Sequence, residues 1–208
     1  MSFDIDSVSF AAAVPGQSSV AAELIYDTDP LLWSCLFGGD VDGARCYLAG
    51  EWESETSVYG YKLCTAALFD GELVGIEYGL DRETQAKYSP DTGQRGMPLL
   101  REQTADAFEK NCAYLRYLIP TVPGDVYYIQ FFSVLSKLRG HGLGTKLLTS
   151  AFTRAEKSGY KACQLDVSSD NPAVDFYKKQ GMEIVSESRV IPFEKLGLPT
   201  HFRMEKAL

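Results

Sequence analysis

The sequence predicts one mixed α/β domain, and three stretches carry that prediction. Tyr61 to Tyr78 reads as two apolar runs joined by Asp70-Gly71, a strong hairpin signal. Tyr127 to Ala155 reads as an aromatic, β-branched strand that passes through glycine into an amphipathic helix. Leu165 to Met182 reads as a second strand, a turn and a short bounded helix.

Taken in chain order, Val8 to Ala12 suits a first strand, followed by helical stretches at Ser18 to Asp27 and Pro30 to Phe37. Gly38-Gly39-Asp40 breaks the pattern, and Val41 to Glu53 is helical again. The hairpin comes next, then a long stretch from Arg82 to Pro123. In it a Ser-, Pro- and Gly-rich loop, Ser89 to Gly96, leads into a helix whose Ala105, Phe108, Cys112, Leu115 and Ile119 keep heptad-like spacing. Long loops of that composition beside a cleft act as lids or substrate walls, with Arg95, Tyr114 and Tyr117 as the expected contacts.

The strand Tyr127 to Leu135 then feeds a helix that sets Leu143, Leu147, Leu148, Ala151, Phe152 and Ala155 on one face, with Lys146, Arg154 and Glu156 off it. The last bounded helix spans Pro172 to Gln180. Asn171 suits its N-cap, Pro172 its first position, and Gly181 the residue just past its end.

At 208 residues and 45% hydrophobic, the chain can bury a sizeable core as a single domain, 1–208. Its 28 acidic and 20 basic residues give a net charge of −8, which favours cationic partners and argues against nucleic acid. The five cysteines, Cys35, Cys46, Cys64, Cys112 and Cys163, are scattered and odd in number. They read as small buried apolar residues in a reducing, cytoplasmic compartment. With His141 and His201 the only imidazoles, no metal site is expected. The start, Met1-Ser2-Phe3-Asp4, has no signal-peptide character, and no segment suits a membrane span.

The strand-to-helix junction Arg139-Gly140-His141-Gly142-Leu143-Gly144 has the chemistry of an anion cradle. The first N–H groups of a helix lack intrahelical partners, the dipole adds partial positive charge, and glycine lets a phosphate approach the backbone. The spacing excludes two other glycine loops. Thr145 stands where a dinucleotide fingerprint needs its third glycine, and Gly144-Thr145-Lys146 is not the Gly-Lys-Ser/Thr of a P-loop.

Arg139-x-x-Gly142-x-Gly144 resembles the acyl-coenzyme A loop of the Gcn5-related N-acetyltransferase (GNAT) superfamily, and Asn171-Pro172-Ala173-Val174-Asp175-Phe176-Tyr177 resembles its later motif. The Asp70-Gly71 hairpin fits the same order, although the specific part of the resemblance is residues 126 to 186. The resemblance implies a central, mostly antiparallel sheet, splayed between its fourth and fifth strands and flanked by helices. It implies an acetyl-CoA-dependent N-acetyltransferase acting on a primary amine of a small molecule or peptide. A non-catalytic acyl-CoA sensor, a longer acyl group and a hydroxyl acceptor stay open, as does a homodimer.

By the same resemblance, acetyl-CoA binds through Arg139, Gly140, His141, Gly142, Leu143, Gly144 and Thr145 at its pyrophosphate, and through Phe132, Val134 and Asn171 along its pantetheine arm. Tyr177 is the expected general acid. A tyrosine on an apolar stripe is equally at home as a core residue. Many relatives carry a carboxylate base mid-strand where this chain has Gln130, which leaves Glu77 and Asp125 as the nearest candidates for the base, beside a bulk-water route. Ser136, where many relatives carry proline, is a milder departure.

Overall fold

The computed structural model describes residues 3–119 and 121–208. Among these, seven strands form one sheet in the order β1-β2-β3-β4-β5-β7-β6. They are β1 (Ser9–Ala12), β2 (Cys64–Phe69), β3 (Glu72–Leu80), β4 (Val126–Val134), β5 (Ala162–Ser168), β6 (Glu183–Ser188) and β7 (His201–Ala207). Every adjacent pair is antiparallel except β4 with β5. The predicted fold class is the one observed.

Local chemistry sets the boundaries. The β2–β3 turn places Asp70 at φ +51° and Gly71 at φ +80°, the two left-handed residues a tight hairpin requires. Three helices start on an aspartate whose carboxylate accepts an N–H of the first turn. Asp29 caps α2 (Pro30–Leu36) through Leu32 at 2.9 Å, Asp40 caps α3 (Val41–Trp52) through Gly43 at 3.0 Å, and Asp81 caps α4 (Arg82–Tyr88) through Thr84 at 2.7 Å. The remaining helices are α1 (Ser18–Tyr26), α5 (Glu102–Leu118), α6 (Leu143–Lys157), α7 (Ala173–Lys179) and α8 (Ile191–Glu194).

The sheet is covered on both faces. On one, Leu24, Trp33, Leu48 and Trp52 of α1 to α3 pack on Ala66, Ile76, Tyr78 and Phe131, with Phe108 and Leu115 of α5 at the margin. On the other, Leu143 and Leu147 of α6 meet Ala67 and Val74, while Leu148, Phe152 and Tyr177 meet Ile129, Leu165 and Val167.

Several expectations need correction. Tyr61–Leu63 is a single 3₁₀ turn, because Tyr61 and Lys62 reach back to Glu55 and take the chain off the strand path until Cys64. Cys46 is exposed, unlike the buried Cys35, Cys64 and Cys163. In α7 the buried residues are Val174 and Tyr177, and Ala173 and Phe176 turn toward the cleft described next.

Candidate active site

Parallel pairing of β4 with β5 lasts only from Val126–Tyr128 against Ala162–Gln164. Beyond it the facing edges of the two strands carry backbone groups without a strand partner among the described residues, and a cleft of about 1340 Å³ opens between them. On the other side of β4 the register with β3 steps from Phe131↔Tyr78 to Ile129↔Gly79, so Gln130 is the extra residue of a β-bulge. Gln130 borders the cleft, and the bulge re-aims the strand there.

The glycine loop stands at one end of this cleft. Gly140 and Gly142 have φ of +80° and +85°, and a Cβ on either would meet nothing within 4 Å. Backbone conformation, not crowding, demands glycine at both, and the space above them is open. Gly142 begins α6 with no side-chain cap, so the first-turn N–H groups of this 15-residue helix are free to meet a ligand. Arg139, Gly140, Gly142, Gly144 and Thr145 border the cleft, as do Phe132 and Val134 of β4. The His141 side chain does not: its ring lies edge-on to Phe3, and Nδ1 is 3.0 Å from the Arg139 carbonyl oxygen. Nor does that of Leu143, the first residue of α6, which is buried against the sheet.

Tyr177 borders the same cleft at 6% exposure, its ring edge-on to Phe132. Among the described residues its hydroxyl has no hydrogen bond partner, and burial pushes its ionisation well above that of an ordinary phenol. Asn171 also borders the cleft. Its Oδ1 accepts the Ala173 N–H at 2.9 Å and its Nδ2 donates to the Thr28 carbonyl at 3.5 Å, which links the start of α7 to the α1–α2 turn.

The two carboxylates expected near the reacting centre lie elsewhere. Glu77 has no exposure and does not border the cleft. It faces α6, paired with Arg154 and accepting the Tyr127 hydroxyl at 2.9 Å; burial pushes its carboxyl up against the opposing pull of Arg154. Asp125 is an exposed turn residue ahead of β4, whose carbonyl accepts the Lys161 N–H at 2.9 Å. Strand alternation and distance along the chain explain both displacements.

The expected lid is fastened. Glu51, fully buried on α3, accepts the N–H groups of Gly93, Arg95 and Gly96 at 2.7–3.0 Å and the Ser57 hydroxyl at 2.5 Å. Arg95, Tyr114 and Tyr117 do not border the cleft. Arg95 pairs with Glu53 at 3.6 Å, Tyr114 packs on Phe193, and Tyr117 is exposed. The loop itself borders the cleft through Ser89, Thr92 and Gly93, and Met97 with Phe108, Cys112 and Leu115 of α5 completes the wall.

The cleft's second limb lies on the α1–α2 face. Trp33, Tyr59 and Phe131 line it with ring centroids 5.7–6.0 Å apart, and its acidic groups include Asp29 and Glu109. One wall carries His201, whose Nε2 lies 3.0 Å from Asp29 Oδ2. Sequence reasoning did not reach Glu51 or the His201–Asp29 pair. The helical spacing in α3 could have marked Glu51 as an acid on a buried face. No local signal joins residues 172 positions apart.

Residues 40–182 match the model of the acetyltransferase (GNAT) family. The chain belongs to the GNAT acetyltransferase family. The reaction class is therefore acyl transfer, and the resemblance of the glycine loop and of the Asn171–Tyr177 segment was to the family itself.

Solved GNAT structures share the architecture over nearly the whole chain. An N-acetyltransferase from Staphylococcus aureus Mu50 is 18% identical with a TM-score of 0.70, covering 95% of this chain and 100% of its own. Mosquito arylalkylamine N-acetyltransferase like 5b is 21% identical with a TM-score of 0.57, covering 97% and 100%. The PaiA N-acetyltransferase from Thermoplasma acidophilum, solved in complex with coenzyme A, is 13% identical with a TM-score of 0.54, covering 97% and 99%. At these identities the likeness concerns the fold. No curated protein matches the sequence. Among the described residues no helix is long and apolar enough to cross a membrane.

Proposed function

We propose that this GNAT protein transfers an acetyl group from acetyl-coenzyme A directly to the primary amine of a small molecule or peptide. One observation carries the reading: a glycine loop with two left-handed residues and an uncapped helix start opens onto a cleft between two parted strands. Pyrophosphate suits the N–H groups of the loop, with Arg139 adding charge. The pantetheine arm suits the unpaired edge of β4 near Phe132 and Val134, as an added strand would. A backbone N–H near the Gln130 bulge is suited to polarising the thioester carbonyl. Tyr177, protonated and without a hydrogen bond partner among the described residues, is the group suited to protonating the leaving thiolate.

The acceptor enters from the aromatic limb, where Asp29 and Glu109 attract a cation. The test is thiol release from acetyl-CoA with phenethylamine, spermidine, an aminoglycoside and a short peptide, alongside calorimetric titration of coenzyme A. Turnover with one or more amines is expected. Coenzyme A binding with no thiol released across the panel would replace the reading with a sensor, and absence of coenzyme A binding would remove the donor assignment.

A further inference from the structure

His201 opens β7 opposite Ser168, the last residue of β5, and borders the cleft at 3% exposure. Its Nε2 is bonded to Asp29 Oδ2, and the other Asp29 oxygen accepts the Leu32 N–H at 2.9 Å. The carboxylate is thus fixed from two sides at the start of α2. In the neutral imidazole, the bond to Asp29 places the proton on Nε2 and leaves Nδ1 as a lone-pair acceptor. Nδ1 is buried, and no hydrogen bond partner meets it among the described residues. A buried acceptor without a partner is costly, and a ligand proton is what would satisfy it.

The two faces of the sheet separate the proton tasks. Tyr177 packs with Leu165 and Val167 on the α6–α7 face, the side of the glycine loop. His201 meets the α1–α2 turn on the opposite face, the side of the aromatic limb. Both border one cleft at the parting of β4 and β5. Gln130, the polar residue at the bulge, cannot accept a proton at neutral pH.

We infer that His201, oriented by Asp29, is the base that takes the first proton from the acceptor ammonium; this rests on the transfer to an amine proposed above. The proton moves from nitrogen to His201 Nδ1, giving a neutral amine and an imidazolium steadied by the Asp29 carboxylate. The N–C bond then forms as the C–S bond breaks. Of the two protons the nitrogen gives up, one finally resides on sulfur and the other passes to solvent. The charged groups around His201 are Asp27 and Asp29 on the α1–α2 turn and the ion pair of Asp166 on β5 with Arg203 on β7 itself. Asp170 lies beyond Ser168, Glu187 is bonded to Thr200, and Glu109 and Arg116 stand across the cleft on α5.

The experiment uses the full chain, acetyl-CoA and phenethylamine, with spermidine as second acceptor. His201→Gln should lower kcat at least tenfold, within the ~10²–10⁴ reach of acid–base catalysis, and abolish the ascending limb of its pH profile without changing coenzyme A affinity. Added imidazole should restore part of the rate to His201→Ala. Asp29→Asn should also lower kcat, by less.

Wild-type kcat and pH profile in a folded His201→Gln protein, or in Asp29→Asn where the first variant does not fold, would overturn the inference. So would a loss confined to KM or thermal stability and untouched by imidazole. Absence of thiol release by the wild-type protein with either amine would instead strike the proposed function on which the inference stands.

Discussion

Arg154 of α6 reaches the sheet and pairs with Glu77 of β3, a carboxylate with no solvent exposure. The pair, with the Tyr127 hydroxyl on the same carboxylate, fastens the helix that carries the glycine loop to the strands beneath it. Removing the cation alone would strand a buried charge. Arg154→Met should therefore cost about 1–3 kcal/mol, below the cost for a fully buried pair because the Arg154 side chain is itself 38% exposed and Tyr127 still donates. The loss should grow as pH rises: a buried carboxyl whose pKa is raised keeps its stability contribution below the unfolded value and loses it through the folded one. Adding Glu77→Gln should recover part of it. Denaturant unfolding of the three variants at two pH values checks the ordering.

At Gly142, φ of +85° makes any L side chain strained, while the space for a Cβ is open. Gly142→Val should leave the overall fold standing, distort the start of α6 and weaken coenzyme A by more than tenfold, about 1.4 kcal/mol or more. Arg139→Ala should cost less, because the backbone donors remain. Calorimetric titration of coenzyme A into each folded variant decides, and unchanged affinity in Gly142→Val would remove the loop from donor binding.

Tyr177→Phe removes a hydroxyl that has no hydrogen bond partner among the described residues, so no native hydrogen bond is lost with it. Thermal stability should hold. If the phenol protonates the leaving thiolate, kcat should fall roughly ten- to a thousandfold, near the scale of general acid catalysis, with donor affinity little changed. Steady-state kinetics at saturating acetyl-CoA would show wild-type kcat if solvent supplies the proton.

Asp40 joins α3 to the start of α5. Hydrogen bonds from Thr104 at 2.6 Å and Arg101 at 2.5 Å, with the Gly43 N–H at 3.0 Å, hold its carboxyl down to about 2. A lowered carboxylate pKa contributes stability above the unfolded value near 3.8, and that contribution is lost as pH falls toward about 2. Melting temperature should drop across that window in the wild type and drop less steeply in Asp40→Asn, which should start lower at neutral pH. Thermal melts from pH 7 to pH 2 test the slope.

What the sequence by itself determined is what short-range physics determines. Asp70-Gly71 can only turn tightly, Asn171 turns its own backbone at the start of α7, and the run from Arg139 to Gly144 between an aromatic strand and an amphipathic helix makes an anion-facing helix start wherever it occurs. The fold class, the family and the glycine-loop end of the cleft follow from such segments because every contact involved lies within a few residues.

Tertiary structure decided what depends on which distant segments meet. Glu77 and Asp125 lie close in sequence to the strands that bear the cleft, yet strand alternation turns one under α6 and a surface turn holds the other. Glu51 meets the 93–96 loop, and His201 meets Asp29 only because β7 inserts between β5 and β6, beside the α1–α2 turn. A buried charge or imidazole is costly until its partner arrives, and the partner's position is set by the packing of the whole sheet rather than by any neighbouring residue.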